Sequence, residues 1–186
     1  MKAPRSRPVI ASATAAAVAA LDADARVVAG RQTDRRAPIA LRLRVFFTRV
    51  KLDRTIADQS PSEASPAVAL RVKELTAQPT RRRIANQLRA VVDYADENDS
   101  PSPRLSAVMI EPAAVRGGRE AILGLAERLQ STAPLSARGV VLARALLTDG
   151  HGPLFNPSSE RTVVEAVFDV QDALGARTDT AQQAAA

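Results

Sequence analysis

The chain has 186 residues, a formal net charge of +6, few aromatic residues, one His and no Cys. The lack of Cys excludes disulfides, thiolate chemistry and Cys-based zinc sites, and His151 alone cannot build a His-rich metal site. We therefore expect no metal and no cofactor. The length fits one domain with tails, or at most two small domains.

The charge is unevenly distributed along the chain. Residues 1–54 contain 12 Lys and Arg against 4 Asp and Glu, whereas residues 55–186 contain 14 against 16. A strongly basic protein is typical of nucleic-acid binding, but here the surplus belongs to an N-terminal arm. We predict that residues 1–42 are a disordered basic arm, because they mix Ala, Arg, Asp and Pro with few large apolar residues.

The start of the chain allows two other interpretations. Met1–Arg7 followed by Pro8–Leu21 resembles a signal peptide, but its apolar part is mostly Ala, so we expect a cytoplasmic protein. Bacterial genes can also begin at a GTG codon read as Met, which makes Val45 or Val50 an alternative first residue. Residues 1–44 would then lie outside the native protein. No apolar run reaches the roughly 18 residues of a membrane span, so we expect no membrane insertion.

The first predicted helix follows an alternating pattern. Apolar residues at 39, 41, 43 and 45 have the period of a strand. A lone strand is not stable, so we expect the pattern to lead into a helix from about Leu43 to Gln59. Phe46 and Phe47 are predicted core residues, because they are half of the Phe in the chain.

Two further helices are predicted before residue 100. Ser60–Glu63 resembles a capping box, but Ser65-Pro66 is the better start, because Pro66 would break a helix begun earlier. That helix is predicted to end at Gln78-Pro79. Thr80 is the predicted N-cap of the next one. Its predicted apolar stripe is Ile84, Leu88, Val91 and Ala95.

The remaining helices follow a loop at residues 96–104. One runs from Glu111-Pro112 to Gln130 and is interrupted at Gly117-Gly118. Ser136 caps the next, which ends near Gly150, and Asn156-Pro157 begins the last. The sequence therefore predicts an all-α fold, a single bundle of about five to six short helices over residues 43–176. Residues 177–186 are a predicted disordered tail.

The strongest candidate binding feature is Arg81-Arg82-Arg83, predicted in the first turn after Thr80. Positive charge there interacts unfavourably with the helix dipole. A bound phosphate or carboxylate would interact favourably both with the dipole and with the arginines. Arg82 shares a face with Asn86 and Arg89, and Arg42 and Arg44 of the basic arm add two further candidates. The alternative is a solvated face paired with acids such as Glu74 or Asp93.

Two other motifs are weaker. Asp149 and His151 are a possible acid–base pair, but no nucleophile accompanies them, and the alternative is a tight turn in which Leu154-Phe155 return to the core. Gly117-Gly118 between two Arg residues resembles a phosphate cradle, but the strand–loop–helix setting of a P-loop is missing. We assign no catalytic residue.

The body of the chain, from about Leu52 to Leu174, resembles a family of small helical actinobacterial proteins. The resemblance is carried by L-D-R-x-I-A, R-R-R-x-A and above all L-S-A-R-G-V-x-L-x-x-x-L-L-T-D-G-x-G-P-L-F at Leu135–Phe155. It implies that this last stretch is a family hallmark and that residues 1–44 lie outside the shared module. The family carries no assigned activity, so the resemblance implies no functional residue.

Three functions remain open on these observations. The first is a non-enzymatic protein-interaction module, with a protein partner or self-association, because well-formed helices come without a catalytic motif. The second is a nucleic-acid-associated protein that contacts phosphates through the basic arm and Arg81–Arg83. The third is an enzyme that uses Asp149 and His151.

Overall fold

The structure, a computed structural model, describes residues 39–58, 66–103 and 109–183, with the backbone alone at 40–41, 102–103, 109 and 176–183. The helices in these ranges are α1 (Ile39–Asp58), α2 (Pro66–Thr76), α3 (Gln78–Glu97), α4 (Pro112–Gly117), α5 (Arg119–Gln130), α6 (Ala137–Thr148) and α7 (Val163–Gln183). Strands β1 (Ser102–Pro103) and β2 (Met109–Ile110) form a two-residue antiparallel pair with Ser102 opposite Ile110. The predicted all-α class is confirmed.

The predicted termini and helix count differ in detail from the structure. The predicted arm up to residue 38 and the capping box at Ser60–Glu63 lie outside the described residues. Helix α1 begins at Ile39, earlier than expected, and α7 continues to Gln183, beyond the predicted end of the ordered domain. The described part has seven helices, because Gly118 divides the predicted helix before Gln130 into α4 and α5.

The chain divides into two compact units between Arg71 and Val72, within α2. In the first unit, Arg71 and Asp53 form a two-pronged salt bridge between α2 and α1. Arg71 Nε lies 2.8 Å from Asp53 Oδ1, and Arg71 Nη2 lies 3.0 Å from Oδ2. Both side chains are mostly buried, at 10% and 16% exposure. Paired, hydrogen-bonded charges of this kind tolerate burial that a single charge would not.

The core of the second unit lies between α3 and α7. Helix α3 packs against α4, α5 and α6, and α7 packs against the same three helices. The predicted stripe of α3 faces this core, because all four of its residues are buried. The buried apolar residues of the other helices include Val115, Ile122, Leu125, Leu129, Val140, Ala143, Val163, Val167, Val170 and Leu174.

The start of α3 corrects the prediction that Thr80 is its N-cap. The helix begins at Gln78, directly after Ala77, whose φ of −63° and ψ of 140° place it in the extended region. Pro79 lies within the first turn, where a missing N–H costs nothing, so it opens α3 instead of closing α2. The N–H groups of Thr80 and Arg81 donate to Ala77 O at 3.0 and 3.1 Å.

Helix α6 begins as predicted and lies very close to α7. Ser136 Oγ accepts a hydrogen bond from Gly139 N at 3.3 Å, which confirms the cap. A Cβ atom on Gly139 would lie 2.5 Å from Leu174 N, so only glycine allows this separation of the two helices. Leu154 then returns to the core, fully buried, and its carbonyl accepts from Glu111 N at 2.9 Å.

Helix α7 begins six residues after the predicted start at Asn156-Pro157, which was wrong. Asn156 instead forms a turn, in which its Oδ1 accepts from Ser158 N at 3.0 Å. The helix is started by a capping box. Thr162 N donates to Glu165 Oε2 at 2.9 Å, and Thr162 Oγ1 accepts from Glu165 N at 3.2 Å.

Candidate functional site

An open cleft of about 940 Å³ lies between α3 and α6 in the second unit. Three arginines line it: Arg82 and Arg83 from the start of α3, and Arg144 from α6. No Asp or Glu is among the lining residues in the described part of the chain. The cleft therefore concentrates positive charge on one concave surface, which favours an anionic ligand.

Arg82 and Arg83 are exposed. Within the described residues, neither guanidinium makes a hydrogen bond or a salt bridge. The alternative of pairing with Glu74 or Asp93 is therefore not observed for these two side chains. Two adjacent guanidinium groups without a carboxylate repel each other, and an anion between them would relieve that repulsion.

The rest of the cleft is partly apolar. Pro79, Ala90 and Leu147 contribute aliphatic surface, while Asn86, Gln87 and Thr148 contribute amide and hydroxyl groups. Pockets of roughly 300–1,000 Å³ with an apolar lining and a few polar groups are typical of small-molecule sites. The combination fits a ligand with one anionic end and one apolar end.

Arg81 lies apart from its two neighbours, against the expectation that all three arginines form one surface. Its side chain is only 6% exposed, and Nη1 donates to Ala133 O at 2.9 Å. Nearby, Gln78 Nε2 donates to Ser131 O at 3.3 Å. Both bonds hold the segment that follows α5, whose carbonyl groups lack helical partners. Arg81 therefore has a structural contact where an anion contact was expected.

The other predicted site residues are only partly brought together. Asn86 lines the cleft, and its Oδ1 also accepts from Gln130 Nε2 at 3.2 Å. Arg89 is half-buried on α3 and is not a lining residue. Arg42 and Arg44 are exposed on α1, in the first unit. Arg144, which does line the cleft, was not predicted, since no sequence pattern connects it with residues on α3.

The two arginines that flank the predicted glycine cradle form salt bridges with aspartates. Arg116 Nη1 lies 2.9 Å from Asp99 Oδ1 and donates to Ala95 O at 3.0 Å. Arg119 Nε lies 3.0 Å from Asp96 Oδ2. Both arginines therefore neutralise acids around the end of α3, where cations also favour the helix dipole.

Asp149 and His151 lie in a tight turn. Asp149 Oδ1 accepts from the backbone N–H of His151 at 3.1 Å, and Asp149 O accepts from Gly152 N at 2.9 Å. Both residues are exposed. An Asp that bonds the backbone two residues ahead stabilises a turn, which matches the alternative interpretation of this motif.

Helix α1 carries a second feature that could act in binding. Ile39, Leu43, Phe46 and Phe47 lie on one face of the helix and are 50–74% exposed. The two Phe rings meet edge to face, with centroids 5.6 Å apart. The prediction that Phe46 and Phe47 are core residues was wrong, because α1 has a second apolar face that contains the buried Val45 and Ile56.

The described residues contain neither a metal-binding cluster nor a membrane-spanning helix. No group of three or more His, Asp or Glu side chains within those ranges is placed to hold a metal ion. None of the helices described is both long enough and apolar enough to span a membrane. The exposed face of α1 and the basic cleft are two candidate binding surfaces of the described residues.

The comparisons with known proteins add no relative. No family model matches the chain, and neither a curated protein nor a solved structure matches it. The resemblance of Leu135–Phe155 to small actinobacterial proteins therefore stays a prediction, and function has to be argued from the two surfaces themselves.

Proposed function

We propose that the protein is a non-enzymatic protein-interaction module that docks through the exposed face of α1. The observation that carries the proposal is the exposure of Ile39, Leu43, Phe46 and Phe47 on one side of one helix. Contiguous apolar patches are costly to leave in water and commonly mark interaction sites. Paired aromatic rings are also frequent anchors of protein interfaces.

The spacing of the four residues fits a helix that enters a groove. They stand at i, i+4, i+7 and i+8, which is the pattern by which amphipathic helices insert anchors into an apolar groove. The opposite face, with Val45 and Ile56, is already buried within the protein. The buried face therefore packs within the protein, and the exposed face of α1 remains available to bind a partner.

The charge of α1 favours an acidic partner over a second copy. The helix contains five basic residues, Arg42, Arg44, Arg49, Lys51 and Arg54, against Asp53 and Asp58. Two α1 helices face to face would bring like charges together, whereas carboxylates around a groove would complement them. We therefore propose a protein partner with an apolar groove and an acidic rim. The cytoplasmic location stays a prediction.

A matched pair of variants tests this function. F46Q/F47Q removes the two rings and keeps residues that tolerate a helix, and F168Q removes an aromatic ring that is 54% exposed on α7. Affinity purification from the host with quantitative mass spectrometry should recover a partner with wild type and F168Q but not with F46Q/F47Q. The purified partner should then bind with a Kd that rises at least tenfold in F46Q/F47Q, as expected for hot-spot aromatics.

Three results would contradict the proposal. One is equal recovery of every protein by wild type and F46Q/F47Q. Another is a concentration-dependent dimer in light scattering that F46Q/F47Q abolishes, which would make the face a self-association surface. The third is co-sedimentation with anionic lipid vesicles that depends on Phe46 and Phe47, since basic helices with an apolar face also bind membrane surfaces.

A further inference from the structure

We infer that the cleft between α3 and α6 binds a small phosphate ester, with Arg82 and Arg83 as the phosphate ligands and the aliphatic surface of Leu147, Ala90 and Pro79 beneath the organic part. This site is separate from the proposed docking face, because all of its lining residues lie in the second unit.

The anionic end of the ligand follows from the arginines. Arg82 and Arg83 are neighbours in sequence, exposed, and without a partner within the described residues. Guanidinium groups present donors in a planar fork that matches a phosphate, and each contact is a charge-assisted hydrogen bond. Arg144 lines the same cleft and adds a third positive charge.

The backbone contributes little to this site. Pro79 has no N–H, and the N–H groups of Thr80 and Arg81 already donate to Ala77 O. The proposed site is therefore formed by side chains of α3 and α6, which are far apart in sequence, and not by the dipole of α3.

The size and lining of the cleft favour a small molecule over nucleic acid. Its volume of about 940 Å³ is that of a small-ligand pocket. Non-specific nucleic-acid binding uses a continuous basic groove with aromatic stacking platforms. Among the described residues, no Phe or Tyr lines this cleft, whereas aliphatic side chains do.

The test is isothermal titration of the full chain with phenyl phosphate, inorganic phosphate and phenol. Phenyl phosphate should bind more tightly than inorganic phosphate, and phenol should bind weakest. Binding should weaken as salt rises, because the charged contacts face solvent. Equal affinity for phenyl phosphate and inorganic phosphate would overturn the assignment of an apolar subsite.

Three variants locate the binding. R82Q/R83Q should raise the Kd of phenyl phosphate at least about tenfold, the effect of losing one charge-assisted bond or more. A90E should do the same by placing a carboxylate in the cleft at an exposed helical position. R138Q is the matched control, because Arg138 is exposed on α6 outside the lining, and its Kd should stay within twofold of wild type.

Three outcomes would overturn the inference. The first is no detectable binding of phenyl phosphate at millimolar concentration, and the second is a Kd that R82Q/R83Q leaves unchanged. The third is binding of a single-stranded oligonucleotide, but not of phenyl phosphate, that R82Q/R83Q abolishes. The arginines would then contact a nucleic-acid backbone. Because Arg82, Arg83, Ala90 and Arg138 are exposed, thermal unfolding should confirm that all three variants fold.

Discussion

Gly139 marks a very close approach between α6 and α7. A Cβ atom there would lie 2.5 Å from Leu174 N and 2.6 Å from Leu174 Cγ and Cδ2. The side chain of Leu174 can rotate, but its backbone nitrogen belongs to α7 and can move only with the helix. The second unit therefore requires glycine at this position for packing.

We predict that Gly139→Ala lowers the free energy of unfolding by about 1–3 kcal/mol, the usual cost of overpacking a core. This loss should exceed the gain of up to about 1 kcal/mol that alanine brings to a helix. Chemical denaturation monitored by circular dichroism measures it.

Gly117→Ala is the control for Gly139→Ala. Gly117 lies at the end of α4, where an added Cβ would have nothing within 4 Å. The free energy of unfolding of Gly117→Ala should equal that of wild type or rise slightly. Equal losses in the two variants would contradict the close approach of α6 and α7, because an added Cβ meets neighbouring atoms at Gly139 and nothing within 4 Å at Gly117.

Single residues also show where sequence reasoning reaches its limit. Ser136 was predicted correctly, because a cap depends on residues within one turn. Arg81 and Arg82 are indistinguishable as a pattern, yet Arg81 points inward to Ala133 O and Arg82 lines the cleft. That difference depends on the segment after α5, about fifty residues away, so no local pattern contains it.

At the scale of elements, Thr162 and Glu165 determine where α7 begins. The backbone N–H and the hydroxyl of Thr162 stabilise the charged carboxylate, so they hold the pKa of Glu165 below its ordinary value of 4.5. A lowered pKa means that the folded state favours the ionised form. Its contribution to stability is present above pH 4.5 and is lost as the pH falls through the folded-state pKa.

We predict that Glu165→Gln is less stable than wild type at pH 7 and that the difference shrinks as the pH falls below 4.5. Glutamine can still accept from Thr162 N, so the variant removes the charge and keeps the acceptor. Urea unfolding of both proteins between pH 7 and pH 3 measures the difference. A difference that stays constant over this range would show that the charge of Glu165 does not contribute.

The elements were predictable where a single apolar face meets the core. The stripe of α3 has this form, and its residues are buried as expected. Helix α1 has two apolar faces, so periodicity could not tell which one packs, and Phe46 and Phe47 were placed on the wrong side. The T-x-x-E pattern at Thr162–Glu165 was visible in the sequence, but Asn156-Pro157 offered a competing start.

At the scale of the whole molecule, the charge difference along the chain separates two kinds of surface. The basic surplus of residues 1–54 includes α1, where arginines surround an exposed apolar face. Residues 55–186 are nearly balanced in charge, and three arginines line the cleft of the second unit. Basic residues therefore accompany both the proposed docking face in the first unit and the proposed small-anion site in the second.

We predict that the two surfaces act independently in the full chain. F46Q/F47Q should raise the Kd of the protein partner at least tenfold and leave the Kd of phenyl phosphate within twofold of wild type. R82Q/R83Q should raise the Kd of phenyl phosphate at least about tenfold and leave the Kd of the protein partner within twofold of wild type, because Arg82 and Arg83 belong to the other compact unit. If the two surfaces are independent, the quadruple variant should show each effect at the size seen in the corresponding double variant. If phenyl phosphate instead changes the Kd of the partner, the effect must be reciprocal, and the cleft would regulate docking through a coupling between the sites.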